Sequence, residues 1–346
     1  MFRSHTHQAD ERIRDDRQRC SVQIRFRRVD WEYASVFRIS YRTRTHSQTV
    51  LVEVEDDGLL GRGEALGVFY HGETIDVLLE QFASVARRFN GGVSRSDLQH
   101  LLPAGGVRNA LDCALWDIES KRLGRRAWEL AGFSEVRTLV TAYTLSVDTP
   151  EAMARAAAAV ADCSLLKLKL SGEGDPERVA AVRAARPDAE LIVDANQAWS
   201  ERQLHEFVPR LADLGVTLIE QPLAVGNDAA LADFMSPIPL CADESFQTSQ
   251  SLPDVLGKYQ FVNIKLDKTG GLTEGLRAAR LAREHNLRLM VGCMGGSSLS
   301  MAAGFVVGQL CDIVDLDSPL LIKSDLPDAI RYRGSTMSVP GARLWG

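Results

Sequence analysis

The 346-residue chain has no apolar run approaching the roughly 18 residues that a membrane-spanning helix needs, so no span is expected. It has little cysteine and no C-x-x-C pair. Cys20, Cys113, Cys163, Cys241, Cys293 and Cys311 are scattered, several of them in apolar strands, and are expected to be free thiols in a reducing, cytoplasmic setting. It lacks a basic excess: 40 Lys and Arg against 46 Asp and Glu leave a formal charge of -6, and no basic cluster offers a nucleic-acid surface. Histidine is scarce where chemistry concentrates. Between 138 and 320 there are only His205 and His285, both in helical patterns and expected on outer helices, which removes histidine-based proton transfer. There is no G-x-G-x-x-G turn after the first strand of the repeat described below, which counts against an open doubly wound sheet. Met1–Arg19 is charged and has no apolar core, so it is not a secretory signal, and residues 1–21 are expected to be a disordered extension.

What is present divides into two textures. From 22 to about 137 the pattern is α+β. Val52 and Val54 alternate with Glu53 and Glu55, Asp57-Gly58 supplies a hairpin turn, and Ala110, Leu111, Ala114, Leu115 and Ile118 form one apolar helix face. From 138 to 318 short apolar strands recur about every 25 residues with helices between them. Thr149-Pro150-Glu151 and Asp175-Pro176-Glu177 read as helix starts, as do Ser200-Glu201 and Thr273-Glu274. This repetition predicts an α/β fold with parallel strands closed into a barrel, the open sheet being the alternative. Residues 319–346 are expected to return to the first domain, with a strand at Ser335–Val339.

The strand Leu165-Leu166-Lys167-Leu168-Lys169-Leu170 carries two ammonium groups on one side, because residues i and i+2 of a strand share a face. Three later strands end in a carboxylate: Asp194, Glu220 and Asp243. In a barrel the C-terminal strand ends meet in one mouth. Three acids converging there repel unless a cation lies among them, and an all-oxygen set favours a hard ion, Mg²⁺ before others. Lys265 ends a further strand, so it and the Lys167/Lys169 strand bracket the ion and suit proton transfer on two faces of one carbon. A second ammonium, the ion and desolvation would lower such a lysine from its usual ~10.4. Lys268, three residues on, is expected to be solvated.

Together, Lys167-Leu168-Lys169, Asp194-Ala195-Asn196, Glu220-Gln221-Pro222, Ala242-Asp243-Glu244-Ser245 and Asn263-Ile264-Lys265 with Gly270-Gly271 resemble the enolase superfamily, in its muconate-lactonizing subgroup, from about residue 22 to the end. The resemblance implies a modified (β/α)₇β TIM-like barrel under an α+β capping domain. It also implies Mg²⁺ on Asp194, Glu220 and Asp243. Lys169 and Lys265 would remove and return an α-proton through an enediolate, with Lys167 neutralising charge and Asn196 and Glu244 supporting the ligands.

Asp315-Leu316-Asp317 narrows the choice, since a pair of anions unused by the metal asks for a cationic substrate group. Dipeptide epimerases carry this pattern, and Arg108-Asn109-Ala110-Leu111 and Gly292-Cys293-Met294 also resemble those acting on L-Ala-D/L-Glu. By that resemblance Asp315 and Asp317 hold the substrate's ammonium, Arg42 meets its side-chain carboxylate with Arg44 as competitor, and Met294 and Ser297 line the substrate. Gly295-Gly296 is a departure expected to widen or loosen the site, and with Phe69, Tyr70 and His71 it leaves a bulkier second residue open. The expected assembly is a homo-oligomer whose partner is a small dipeptide. The competing readings are an N-acylamino-acid racemase, cycloisomerase or dehydratase of the same subgroup, a Schiff-base aldolase, and a non-catalytic binding barrel.

Overall fold

The computed structural model describes residues 22–88 and 93–346, so the expected disordered extension at 1–21 lies outside the described residues. Strands β1 (Gln23–Ile39), β2 (Arg42–Asp56) and β3 (Leu59–Ala65) form an antiparallel sheet in that order. The turn between β2 and β3 holds Asp57 at φ 52° and Gly58 at φ 74°, the positive values that a tight hairpin requires. Val50, Val52 and Val54 pack on Ala110, Leu111, Ala114 and Ile118 of the helix Gly106–Leu123. The approach is close: a Cβ on Gly63 would meet the Ala110 carbonyl oxygen at 2.0 Å and one on Gly61 the Ala114 carbonyl oxygen at 2.1 Å, so the helix rests on the sheet across these two glycines.

A two-residue strand β4 (Leu139–Val140) precedes the barrel. The barrel strands are β5 (Tyr143–Leu145), β6 (Leu165–Lys169), β7 (Glu190–Asp194), β8 (Val216–Glu220), β9 (Leu240–Ala242), β10 (Phe261–Lys265), β11 (Arg288–Gly292) and β12 (Ile313–Val314), eight neighbours in sequence order. A parallel bridge between Thr141 and Val314, with Ala142 N–H donating to the Val314 carbonyl at 2.7 Å, closes the ring and disposes of the open-sheet alternative.

Helix starts are partly as expected. Thr149 and Ser200 accept from the backbone N–H of Ala152 and Gln203. Asp175 instead lies within its helix behind Gly174, its carboxylate accepting from Ser171 N–H, Gly172 N–H and Trp199 Nε1, so it ties down the loop after β6. Thr273 lies one residue inside a helix that begins at Leu272, where its Oγ1 donates to Asp112 at 2.6 Å.

The returning strand also differs from expectation. β13 (Tyr332–Arg333) pairs with β14 (Thr336–Met337), and β14 pairs with β4 rather than with the sheet β1–β3. The chain beyond it does reach the first domain: Trp345 Nε1 donates to the Cys113 carbonyl at 3.0 Å, and Gly346 N–H to Asp117 Oδ1 at 2.9 Å.

Leu165, Ile192, Leu218, Cys241, Phe261 and Met290 are buried together with Ala142 inside the barrel, one from each of six successive strands. They form a dry plug. Two residues further along each strand, on the same inward face, come Lys167, Asp194, Glu220, Asp243, Asn263 and Gly292. The alternation that builds the plug therefore also lifts every polar group of the next layer toward one mouth.

Candidate active site

Asp194 and Glu220 end adjacent strands and Asp243 follows the third, and each is at most 1% exposed. One carboxylate oxygen from each lies within 4.8 Å of the others, with no histidine or cysteine in the group. The donor set is that of a hard cation taking few protein ligands, Mg²⁺ before Ca²⁺. Beside it, Asn196 Oδ1 and Glu244 Oε2 are buried with no hydrogen-bond partner among the described residues, which leaves capacity for water or ligand at the rim. The residues fit the metal.

Lysines surround the triad. Lys167 Nζ is 2.6 Å from Glu220, 2.7 Å from Asp315 and 3.3 Å from Asp194. Lys169 Nζ meets Asp194 Oδ2 at 2.5 Å, and Lys265 Nζ meets Asp243 Oδ2 at 2.6 Å. The two proposed bases thus reach the triad at different acids. Burial raises Asp194 and Asp243, but the lysines beside them outweigh it, Lys169 and Lys167 at Asp194 and Lys265 and Lys268 at Asp243, holding both below the usual range. Glu220 goes the other way, pushed up to about 7 by burial and then by Asp194, and Glu244 up to about 8 by burial, Asp243 and Asp194. Lys265, expected to be depressed as a base, is not, and Lys167 behaves in the same way. Burial does pull them down, but the facing carboxylates, Asp315 first for Lys167 and Asp243 first for Lys265, lift both above the ordinary value.

Three supports were not read as such from the sequence. Lys268, expected in solvent, is 2% exposed, because residues 266–269 form a helical turn that folds it back under the site. It donates to Asp243 Oδ1 at 2.7 Å and to the Asn263 carbonyl at 3.0 Å, and also to the Asp243 carbonyl. Asn263 Nδ2 donates to Glu220 Oε1 at 2.8 Å. Gln221, fully buried at φ 36°, accepts from Asp243 N–H and Ser245 N–H at 2.9 and 3.0 Å, so its side chain continues the ladder where β9 stops.

Over this mouth lies a pocket lined by Lys169, Lys265, Asp243, Glu244 and Asn196 below, by Asp315, Asp317, Thr144, Cys293 and Met294 on one side, and by Tyr41, Arg42, Arg44, Phe69 and Tyr70 from the capping domain. β12 stops at Val314, so Asp315 and Asp317 lie beyond the strand, yet both remain buried and reach the pocket. Asp317 accepts from Thr144 N–H at 2.6 Å, and its carboxyl is pushed up to about 7 by burial and then by Asp315.

Ser297 is placed elsewhere. It has no exposed surface, begins the helix Ser298–Gly308, and donates from both N–H and Oγ to Glu64 of β3. The adjoining glycines do not widen the site. A Cβ on Gly295 would lie 2.7 Å from Ser47 Oγ and 2.9 Å from Leu66, so the pair lets the capping sheet approach the barrel. His205 and His285 are exposed, and Cys113, Cys163, Cys241, Cys293 and Cys311 are free thiols.

Comparison with known proteins agrees with this geometry. Residues 21–132 match the family described as mandelate racemase / muconate lactonizing enzyme, N-terminal domain, and residues 151–342 match enolase C-terminal domain-like. The chain is 41% identical over 304 residues to the L-Ala-D/L-Glu epimerase of Escherichia coli (strain K12), covering 87% of this chain and 95% of that one. It is 42% identical over 299 residues to an N-acetyl-D-glutamate racemase of Pseudoalteromonas sp, covering 86% and 95%. Among solved structures, an enolase family member from Agrobacterium tumefaciens with homology to dipeptide epimerases, holding sodium and L-Ala-L-Glu, aligns with a TM-score of 0.91 at 40% identity over 94% of this chain and 99% of that one.

Proposed function

Because the chain belongs to the mandelate racemase / muconate lactonizing enzyme family of the enolase superfamily, we propose that it is a Mg²⁺-dependent dipeptide epimerase inverting the α-carbon of the C-terminal residue. The observation that carries this reading is the carboxylate triad with Lys169 on Asp194 and Lys265 on Asp243. Asp194, Glu220 and Asp243 would hold Mg²⁺. Bound there, the ion would polarise the substrate carboxylate and take up the acidic charge that keeps Lys265 protonated. Lys169 and Lys265 then exchange the α-proton from either face, and Lys167 supplies positive charge to the enediolate. The dry plug below and Tyr41, Phe69 and Tyr70 above limit water around the reacting carbon. Asp315 and Asp317 take the substrate's ammonium, and Arg42 and Arg44 face its side chain. The test is incubation of L-Ala-L-Glu in D₂O with Mg²⁺, expected to give a deuterium-labelled epimer.

Metal removal should be plain to measure. EDTA should abolish exchange, and Mg²⁺ at about a hundred times its Kd should add about 2.7 kcal/mol, raising Tm by about 4 °C. Glu220→Gln should lose that shift, and an unchanged shift would argue against Glu220 as ligand.

A pH dependence follows from Asp317. Its carboxyl, at about 7, is neutral below that pH and cannot pair with an ammonium. As pH falls through about 7, kcat/KM for a dipeptide should therefore drop by about tenfold per unit, since this ratio reports the free enzyme. Asp317→Asn should abolish that limb while leaving any limb due to the lysines.

One observation favours a second reading. Asp315 is already paired with Lys167 at 2.7 Å, which leaves less negative charge for an ammonium, as an N-acylated glutamate would need. Comparing N-acetyl-L-glutamate with L-Ala-L-Glu decides between them.

A further inference from the structure

Arg42 and Arg44 are i and i+2 on β2 and project from one face. Both guanidinium carbons lie 4.9 Å from the centroid of the same ring, Phe69. Two like charges on one ring repel. Arg44 is half-buried, its guanidinium held below the usual value by burial and next by Arg42, against a hydrogen bond with Tyr33 that acts the other way. The ring itself is fixed. Asp267, two residues past Lys265, accepts from Leu66 N–H and Gly67 N–H at 3.1 and 3.0 Å, and Glu73 accepts from Val68 N–H at 2.7 Å. The turn Phe69–His71 ends at Gly72 with φ 83°, and Tyr70 stacks edge-on to Phe69 at 5.3 Å. The aromatic turn is thus pinned to the helical turn that follows the barrel strand carrying one of the proposed bases.

We propose that Phe69 is a specificity-determining residue that holds Arg42 and Arg44 as a single two-pronged receptor for an anionic side chain on the substrate's second residue. The question of which arginine meets that side chain then dissolves, because the ring gathers both. The attraction of a cation to a ring face offsets part of their repulsion, and the substrate carboxylate offsets the rest. The proposal rests on the epimerase reading above and adds the residue that gathers the two arginines.

The test compares L-Ala-L-Glu with its uncharged isostere L-Ala-L-Gln by α-proton exchange in D₂O with Mg²⁺. Phe69→Leu keeps apolar bulk and removes the π face, so it should cost L-Ala-L-Glu about tenfold more in kcat/KM than L-Ala-L-Gln, with the difference in KM. Phe69→Tyr keeps the face and should restore the discrimination. In an Arg42→Gln/Arg44→Gln background, Phe69→Leu should no longer change the ratio. Equal losses for both dipeptides, or a Phe69 effect that survives removal of the arginines, would reduce Phe69 to a pocket wall and overturn the proposal. Should Phe69→Leu fail to fold, the arginines alone still decide: one receptor predicts that the double replacement costs much less than the two single losses combined, and independent sites predict additivity. Exchange of both dipeptides by the wild type without preference would defeat this proposal alone, whereas exchange of no dipeptide or N-acyl amino acid would defeat the epimerase reading beneath it.

Discussion

Lys169→Ala and Lys265→Ala should each lower epimerisation by at least about 10³-fold, and each should leave proton exchange in D₂O from only one epimer of the substrate. In the ring β5 to β12, β6 is second and β10 sixth, so the strands bearing these lysines stand four apart in a closed set of eight. They face each other across the mouth. A carbon between them presents one face to each ammonium, so removing one removes the chemistry of one face. Neighbouring amines should not rescue the variants. Lys167 is already within 3.3 Å of three carboxylates, and Lys268 spends its hydrogens on Asp243 and Asn263. Single-turnover exchange, followed separately from the L- and D-epimers, reads the result. Loss of exchange from both epimers in one variant, and from neither in the other, would point to a single base.

The residues that the strand periodicity could reach were legible in advance. Asp194, Glu220, Lys167, Lys169 and Lys265 each lie on an apolar strand whose inward face repeats every two residues, and the same rule would have found Asn263, two before Lys265. Positions set by contacts across the fold were not legible. Lys268 follows a strand in a sequence that reads as loop, and only the helical turn at 266–269 returns it to Asp243. Gln221 is adjacent to a ligand, but its role depends on β9 being three residues long, so that a side-chain amide must meet the Asp243 N–H. Gly295-Gly296 suggested room when read locally. Ser47 and Leu66, more than 200 residues away in the chain, occupy that room. The resemblance sets Ser297 beside Met294 at the substrate, whereas Glu64 of β3 holds it behind the pocket.

Asp317→Asn should lower kcat/KM for L-Ala-L-Glu by about 10²- to 10³-fold, the cost of leaving a desolvated ammonium without its carboxylate partner, about 3–4 kcal/mol. The loss should appear in KM, because the ammonium is remote from the reacting carbon and is bound alike in ground and transition states. Asp315→Asn should differ. Asp315 holds Lys167 at 2.7 Å, and Lys167 also touches Glu220 at 2.6 Å, so this substitution removes a charge on which a group beside the metal ligands depends. Its loss should therefore extend to kcat. An N-acylated glutamate, having no ammonium, should be indifferent to Asp317→Asn or improve, because the buried carboxylate next to an acyl group is only a desolvation cost. The pair of substitutions thus separates the dipeptide from the N-acyl reading within one protein. Equal damage to both substrates from Asp317→Asn would mean that this carboxylate serves the Thr144 N–H and the local fold, and that the ammonium site lies elsewhere.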